Sequence, residues 1–374
     1  MLDHQLVPVP VAHLTQPGEL TINGRLCTPQ GQTPKTVMLA LHGITYNSEY
    51  WDPGYHPDTY SFARKAMDSG YAVFAIDRLG YGKSARPLGP LVTLDAQAEV
   101  THQLIGQLRE GRIGGDAFPR VALVGHSYGT ITAWRESAEY NDADAVIGTG
   151  YGPNIQAVPL ARFFSGFQPA ILDPKTAPLV GLDATYLTGE PGGREQDFLY
   201  DLSNVEPGML DYDQNVLRDT VTAGEGATFI NRFSELPLGQ HWPTTSDEIK
   251  VPLPTGIVQN IKIPSFLANG EHDLFFCGAN GADCNSSQAV QRAAAEHFSP
   301  EACIRGAAIP HAGHDLNLQR NAGFTFDTII AWADEVLGPD GTKRDGYAAG
   351  CGSFSGENGT DGPGVFGAIP ANRN

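Results

Sequence analysis

Arg120-Val121-Ala122-Leu123-Val124-Gly125-His126-Ser127-Tyr128-Gly129 reads as an apolar strand, a turn of the form Gly-x-Ser-x-Gly, and the start of a helix that runs from Ser127 to about Glu139. Glycines at 125 and 129 relieve the crowding of a very sharp strand-to-helix turn. Such a turn projects the Ser127 Oγ from the carboxyl end of a sheet, where open α/β sheets bind their ligands. The pentapeptide alone could be an ordinary turn. Its position between an apolar strand and a helix makes Ser127 a candidate nucleophile.

The same alternation extends outward. Thr36–Leu41 is a continuous apolar run, as expected of a parallel strand covered on both faces. A helix follows from about Pro57 to Ser69, then a strand over Tyr71–Ile76, a Gly-rich turn over Asp77–Gly82 and a helix over Leu94–Arg109. Ala143–Thr149 reads as the next strand. Near the start, Leu6–Leu14 and Glu19–Cys27 also read as strands. The β–α rhythm predicts a doubly wound, mostly parallel α/β sheet. It breaks from about Pro153 to Asn260, where Pro, Gly and aromatic residues replace strand alternation. It resumes with Ile263–Ala268, a helix over Gln288–His297, a strand over Ala302–Ile309 and a helix over Ala322–Leu337. This divides the chain into a core domain (1–152 and 261–340), an inserted cap (153–260) and a Gly-rich, polar C-terminal tail (341–374) with little to bury.

Composition narrows the function. The 374 residues carry a formal net charge of −18, which repels phosphate backbones and argues against a nucleic-acid partner. No apolar stretch approaches the ~20 residues of a membrane span, and the N-terminus shows neither the basic nor the apolar region of a signal peptide. Of the five cysteines, Cys277 and Cys284 flank a Gly/Ala/Asn/Asp loop suited to a disulfide clip, and Cys303 could pair with Cys351. Such staples fit a secreted protein, whereas five reduced thiols fit a cytoplasmic one. Both compartments stay open, as does a homo-oligomer. Sequons at Asn285 and Asn358 are short patterns that arise by chance. No metal motif, dinucleotide fingerprint or phosphate-binding loop is present.

With its nucleophile turn set in this β–α order, the chain resembles the α/β-hydrolase fold superfamily over roughly Thr36–Leu337: a serine esterase, lipase or lactonase type with an inserted cap. The resemblance implies a triad in the order Ser, acid, His. His314, in Gly313-His314 after the last predicted strand, is then the base, with His311 its rival. Asp273, in Asn269-Gly270-Glu271-His272-Asp273, is the acid, with Glu271 the alternative. The oxyanion hole would be the backbone N–H groups of Tyr128 and of Ile44, the latter in His42-Gly43-Ile44-Thr45-Tyr46-Asn47. This loop departs from the Gly-Gly-Gly form of many lipases. His42 is expected to brace the loop, and Tyr46 either packs or offers a hydroxyl to the site. Asp77, in Asp77-Arg78-Leu79-Gly80-Tyr81-Gly82-Lys83-Ser84, is expected to be structural. Among the cap aromatics Phe163, Phe164, Phe167, Tyr186, Phe198, Tyr200, Phe229 and Trp242, some would line an apolar pocket and others the cap's own core.

The implied reaction is hydrolysis of a carboxylic ester or lactone of a hydrophobic small molecule through an acyl-enzyme, without a cofactor. A lyase of the hydroxynitrile-lyase type would use the same triad as a base, with a cation from the cap. A catalytically silent binding protein on the same fold is the third reading. Epoxide hydrolases and haloalkane dehalogenases are disfavoured, because they need Asp where this chain has Ser127.

Overall fold

Eight strands form one sheet in the order β1 (Leu2–Val9), β2 (Leu20–Cys27), β4 (Ala72–Ile76), β3 (Thr36–Leu41), β5 (Arg120–His126), β6 (Ala145–Thr149), β12 (Ser265–Gly270) and β13 (Arg305–Ile309). The computed structural model describes residues 2–9, 20–152, 154–193, 198–227, 250–252, 255–278 and 281–342. From β4 to β13 every neighbouring pair is parallel, and β1 and β2 add an antiparallel edge. Every residue of β3, β4, β6 and β12 is buried, which is why these segments read as unbroken apolar runs. A strand covered by helices on both faces has no solvent side to alternate with.

The connecting helices follow from local signals. Helix α3 (Leu94–Arg109) starts where the Thr93 hydroxyl accepts from the Ala96 N–H at 3.2 Å. It buries Val100, Leu104 and Leu108, one face at a spacing of four. Between β3 and β4 the expected single helix is two, α1 (Pro57–Tyr60) and α2 (Phe62–Asp68). Ser61 breaks it: its backbone is extended (φ −88°, ψ 106°), and its hydroxyl caps the Arg64 N–H at 3.0 Å. The last strand begins at Arg305 rather than Ala302, because Pro300–Ala302 form a 3₁₀ turn and Cys303 takes a left-handed conformation (φ 47°). The other expected elements of the sheet and its helices are present. The far end of the Leu6–Leu14 segment, residues 10–14, lies outside the described residues.

Between β6 and β12 the chain leaves the sheet. It forms β7 (Asn154–Gln156), helix α5 (Ala157–Ser165), β8 (Phe167–Pro169), β9 (Tyr186–Gly189), β10 (Val221–Thr222) and β11 (Lys250–Pro252). Strands β8, β9 and β10 make a small antiparallel sheet, and β7 pairs with β11. With two to four residues each, these strands are too short to show alternation, so the segment read as irregular.

This insert is fastened to the core behind the loop that follows β3. The Thr45 N–H donates to the Thr220 carbonyl and the Asp219 N–H to the Thr45 carbonyl, both at 2.9 Å. Deeper, Arg78 and Glu225 form an ion pair at 1% and 0% exposure. Tyr81 donates to the same carboxylate, and so does Gln97, the latter at 2.9 Å. The other side of the Arg78 guanidinium holds the His42 carbonyl at 2.7 Å and the Gly43 carbonyl at 3.2 Å.

The expected Cys277–Cys284 disulfide is present, and Cys27 is a buried free thiol. Cys351, Asn358, Phe229, Trp242 and the tail beyond residue 342 lie outside the described residues.

Removing one member of a buried ion pair strands the other charge, at a cost of about 3–5 kcal/mol. Glu225→Ala is expected to lose stability of that order in urea unfolding. The double variant Arg78→Met/Glu225→Leu, which leaves no stranded charge, is expected to recover most of it.

Candidate active site

Ser127 sits between β5 and helix α4 (Tyr128–Glu139) with φ 51° and ψ −118°. A residue with a Cβ holds such a backbone only where its surroundings enforce it, at a cost of about 1–3 kcal/mol. Here the Ser127 N–H is tied to the Thr149 carbonyl of β6 at 2.9 Å, and the Ser127 carbonyl receives the Thr130 N–H at 2.9 Å as α4 begins. Helix α4 starts so close beneath β3 that a Cβ on Gly129 would run into the Leu41 carbonyl. On the other side a Cβ on Gly43 would come within 3.1 Å of the Ser127 Cβ. The loop after β3 therefore lies directly against the serine.

The loops after β12 and β13 are stitched together. The Glu271 N–H donates to Ile309 and the His272 N–H to Ala312, both at 2.9 Å. This brings Asp273 and His314 into contact, His314 Nδ1 lying 2.9 Å from Asp273 Oδ2. Asp273 Oδ1 accepts the backbone N–H groups of Phe275 and Phe276 at 2.9 and 3.3 Å. A carboxylate so held takes the proton on His314 Nδ1, which makes Nε2 the acceptor nitrogen of the neutral ring. Burial opposes protonation of His314, but the Asp273 charge, its hydrogen bond and the nearby Asp315 outweigh it. The imidazole pKa rises above its ordinary value.

Ser127 and His314 line one cavity, with about 440 Å³ of empty space when its open mouth is counted. Ile44, Thr45 and Tyr46 form one wall. Leu160 and Phe163 of α5, with Leu199, come from the insert; Phe275, Phe276 and Tyr151 complete the apolar lining. Ile44 and Tyr128, the residues predicted to offer oxyanion N–H groups, flank Ser127 on the β3 loop and at the first position of α4.

The rival residues lie elsewhere. His311 is exposed, and its backbone N–H donates to Glu271 Oε2 at 3.0 Å; neither residue is among those lining the cavity. Asp77 accepts from Asn23 at 2.7 Å, from the Ser48 N–H at 2.8 Å and from the Lys83 N–H at 2.9 Å. His42 is buried, with Nδ1 2.7 Å from the Gly43 carbonyl and Nε2 accepting the Arg78 N–H at 3.0 Å. Burial keeps it neutral, with Arg78 adding to the effect. Among the cap aromatics, Phe163 lines the cavity. Tyr186 instead donates to the Pro87 carbonyl at 2.7 Å.

Two residues at this site were not singled out from the sequence. His126, a spacer in the Gly-x-Ser-x-Gly pattern, is buried, lines the cavity and places Nε2 2.9 Å from Asp315 Oδ1. Asp315 also accepts the Tyr46 hydroxyl. The His126 ring stacks on Tyr50 at 4.4 Å and lies 5.0 Å from the His314 ring. Burial holds its pKa below the ordinary value. Burial alone would raise Asp315, but the His126 hydrogen bond and the two histidines bring it below the usual carboxylate range. The signal in the sequence was a second His and a second Asp, each adjacent to a predicted triad residue.

Comparison with known proteins gives the same fold. The model of the alpha/beta hydrolase family matches residues 38–326. A probable lysophospholipase of Arabidopsis thaliana, BODYGUARD 3, is 30% identical over 112 residues, 30% of this chain and 20% of that protein; the match thus spans about a fifth of the curated relative. Among solved structures, a bromoperoxidase from Bacillus anthracis is similar with a TM-score of 0.57 and 16% identity, over 89% of this chain and 100% of the other. A soluble variant of the monoglyceride lipase of Saccharomyces cerevisiae, bound to a substrate analogue, has a TM-score of 0.55 and 14% identity, over 88% and 96%.

Two carboxylates support a proton on His314, so removing the charge of Asp315 weakens that support. In an NMR titration the His314 imidazole of the wild type is expected to titrate above its ordinary value. Asp315→Asn is expected to move the midpoint to lower pH, so that the neutral base becomes available earlier as pH rises. An unmoved midpoint would show that Asp315 does not act on His314.

Proposed function

The chain belongs to the alpha/beta hydrolase family, and from that premise we propose that it hydrolyses a carboxylic ester or lactone of a hydrophobic small molecule through an acyl-enzyme on Ser127. The observation that carries this reading is the opening of the Ser127 turn and of the Asp273-bound His314 onto one apolar cavity.

In this reading His314 Nε2 takes the hydroxyl proton as Ser127 Oγ attacks the substrate carbonyl. Asp273 holds the ring in the required tautomer and stabilises the imidazolium. The backbone N–H groups of Ile44 and Tyr128 receive the negative oxygen of the tetrahedral intermediate. His314 then returns its proton to the leaving alkoxide oxygen, and the acyl group stays on Ser127. Water, deprotonated by the same histidine, releases the acid and restores the serine. The insert, residues 153–260, acts as a cap: Leu160, Phe163 and Leu199 close the cavity over the acyl chain. The names of two relatives, a lysophospholipase and a monoglyceride lipase, describe enzymes of fatty acyl esters, and the aromatic lining suits such chains. No lysine or arginine is among the described residues lining the cavity, which favours a hydrolase over a lyase that needs a cation from the cap.

Release of p-nitrophenol from short and medium acyl esters tests the assignment. Ser127→Ala is expected to abolish turnover and labelling by a fluorophosphonate probe, and Asp273→Asn to lower kcat by about 10⁴-fold. A wild-type protein that neither turns over esters or lactones nor takes the label would overturn the hydrolase reading. Phe163→Ala opens the insert side of the cavity, so longer acyl chains are expected to gain in kcat/KM relative to acetate.

A further inference from the structure

On the far side of β5 and β6, helices α3 and α4 bring together three metal-ligating side chains that the ester chemistry does not use. His102 is on α3, Glu136 on α4, and Asp142 in the turn after α4. One ligand atom from each lies within 4.8 Å of the others. Glu136 is fully buried. Its Oε2 accepts from the Ser137 hydroxyl at 3.4 Å, while its Oε1 and Asp142 Oδ1 receive no other N–H or O–H donor among the described residues; burial, and a hydrogen bond to the adjacent Asp142 carboxyl, push the Glu136 carboxyl up to about 10. Two neighbouring carboxylates in so buried a place cannot both stay charged unless a cation joins them or they share a proton.

The nearby cations are spent elsewhere. Arg109 donates to the Pro119 and Asp142 carbonyls, both at 2.6 Å, and to the Asp144 carboxylate at 2.7 Å. Arg135 turns to Asp95 at 2.8 Å and Glu139 at 3.2 Å. The His102 ring is already oriented: Nδ1 lies 2.7 Å from Asp142 Oδ2, and its face stacks on Tyr140 at 4.0 Å and 10°. Its side chain is 40% exposed, which leaves an entry path and room for water.

We infer that His102, Glu136 and Asp142 form a binding site for a zinc-class divalent cation, clamping α3 to the end of α4. One imidazole and two carboxylates suit zinc and its neighbours, whereas calcium and magnesium favour oxygen ligands alone. Water completes the coordination, and the ion replaces the proton between His102 and Asp142. No spacing motif announces the set, because its members come from two helices and a turn. The pair has one other resolution, a single proton shared between Glu136 and Asp142, and the experiment separates the two.

The full chain is stripped with a chelator and titrated with zinc chloride by calorimetry and by thermal unfolding. The wild type is expected to bind one zinc per chain at this site and to unfold at a higher temperature when loaded. His102→Ala, a half-exposed change that spares the core, is expected to weaken that binding by at least about tenfold, since it removes a ligand outright. His314→Ala is expected to leave it intact, which distinguishes this site from the histidines of the cavity. Absence of saturable binding, binding unchanged in His102→Ala, or binding lost only in His314→Ala would overturn the assignment. So would a zinc-independent rise in the unfolding temperature of Glu136→Gln in a wild-type background that takes up no zinc, the signature of a shared proton.

Discussion

Backbone meets backbone where α4 begins beneath β3, and the rest of the site is arranged around that contact. No side chain fits at position 129 against the Leu41 carbonyl. The chain must therefore turn within one residue, and Ser127 bears the strained conformation that results. Two ladder-like tethers, to Thr149 behind and to Thr130 ahead, keep the serine in that state. The strain stays local because β3, β5 and β6 are fully paired neighbours in the middle of the sheet. A turn of this kind at a sheet edge would relax.

Around it stand two buried His–Asp couples, His314 with Asp273 and His126 with Asp315. They are chemically unlike although their parts are the same. His314 borders two carboxylates and binds a proton more readily than usual. His126 is enclosed by Tyr50, Tyr46 and the sheet, and burial makes it harder to protonate. The first couple borders the cavity through His314. The second is a neutral ring bonded to a permanent anion, a rigid wall that also fixes Tyr46. Placing the couples side by side gives the cavity a fixed negative background without a second mobile proton.

The sheet was legible in the sequence because its strands are buried on both faces, and α3 because a capping threonine and a four-residue apolar spacing mark its start and its face. The break at Ser61 was not, since the same Ser that can interrupt a helix can also sit within one; tertiary packing decides. The insert hid its strands because β8, β9 and β10 have two to four residues each and pair with partners far along the chain. Of the residues predicted for the site, Ser127, His314 and Ile44 line one cavity and Asp273 bonds His314 behind it, but the partners of Arg78 could not be read. Glu225 lies 147 positions away, and no local pattern joins them. His126 looked like a spacer because its role depends on Asp315, which reaches it only after the loop beyond β13 folds back.

The bond from Arg78 to Glu225 also sets an order of events during synthesis. The loop that lies against Ser127 is gripped by Arg78, and Arg78 is neutralised by a residue translated well after β3, β4, β5 and β6 have left the ribosome. Until Glu225 emerges, a nascent chain can pair those strands but holds an unmatched guanidinium under the loop. Contacts this remote close late. The β3–β6 half of the sheet can therefore pair first, whereas the loop against Ser127 gains its buried backing only once Glu225 is available, and β12 and β13 join the sheet after that.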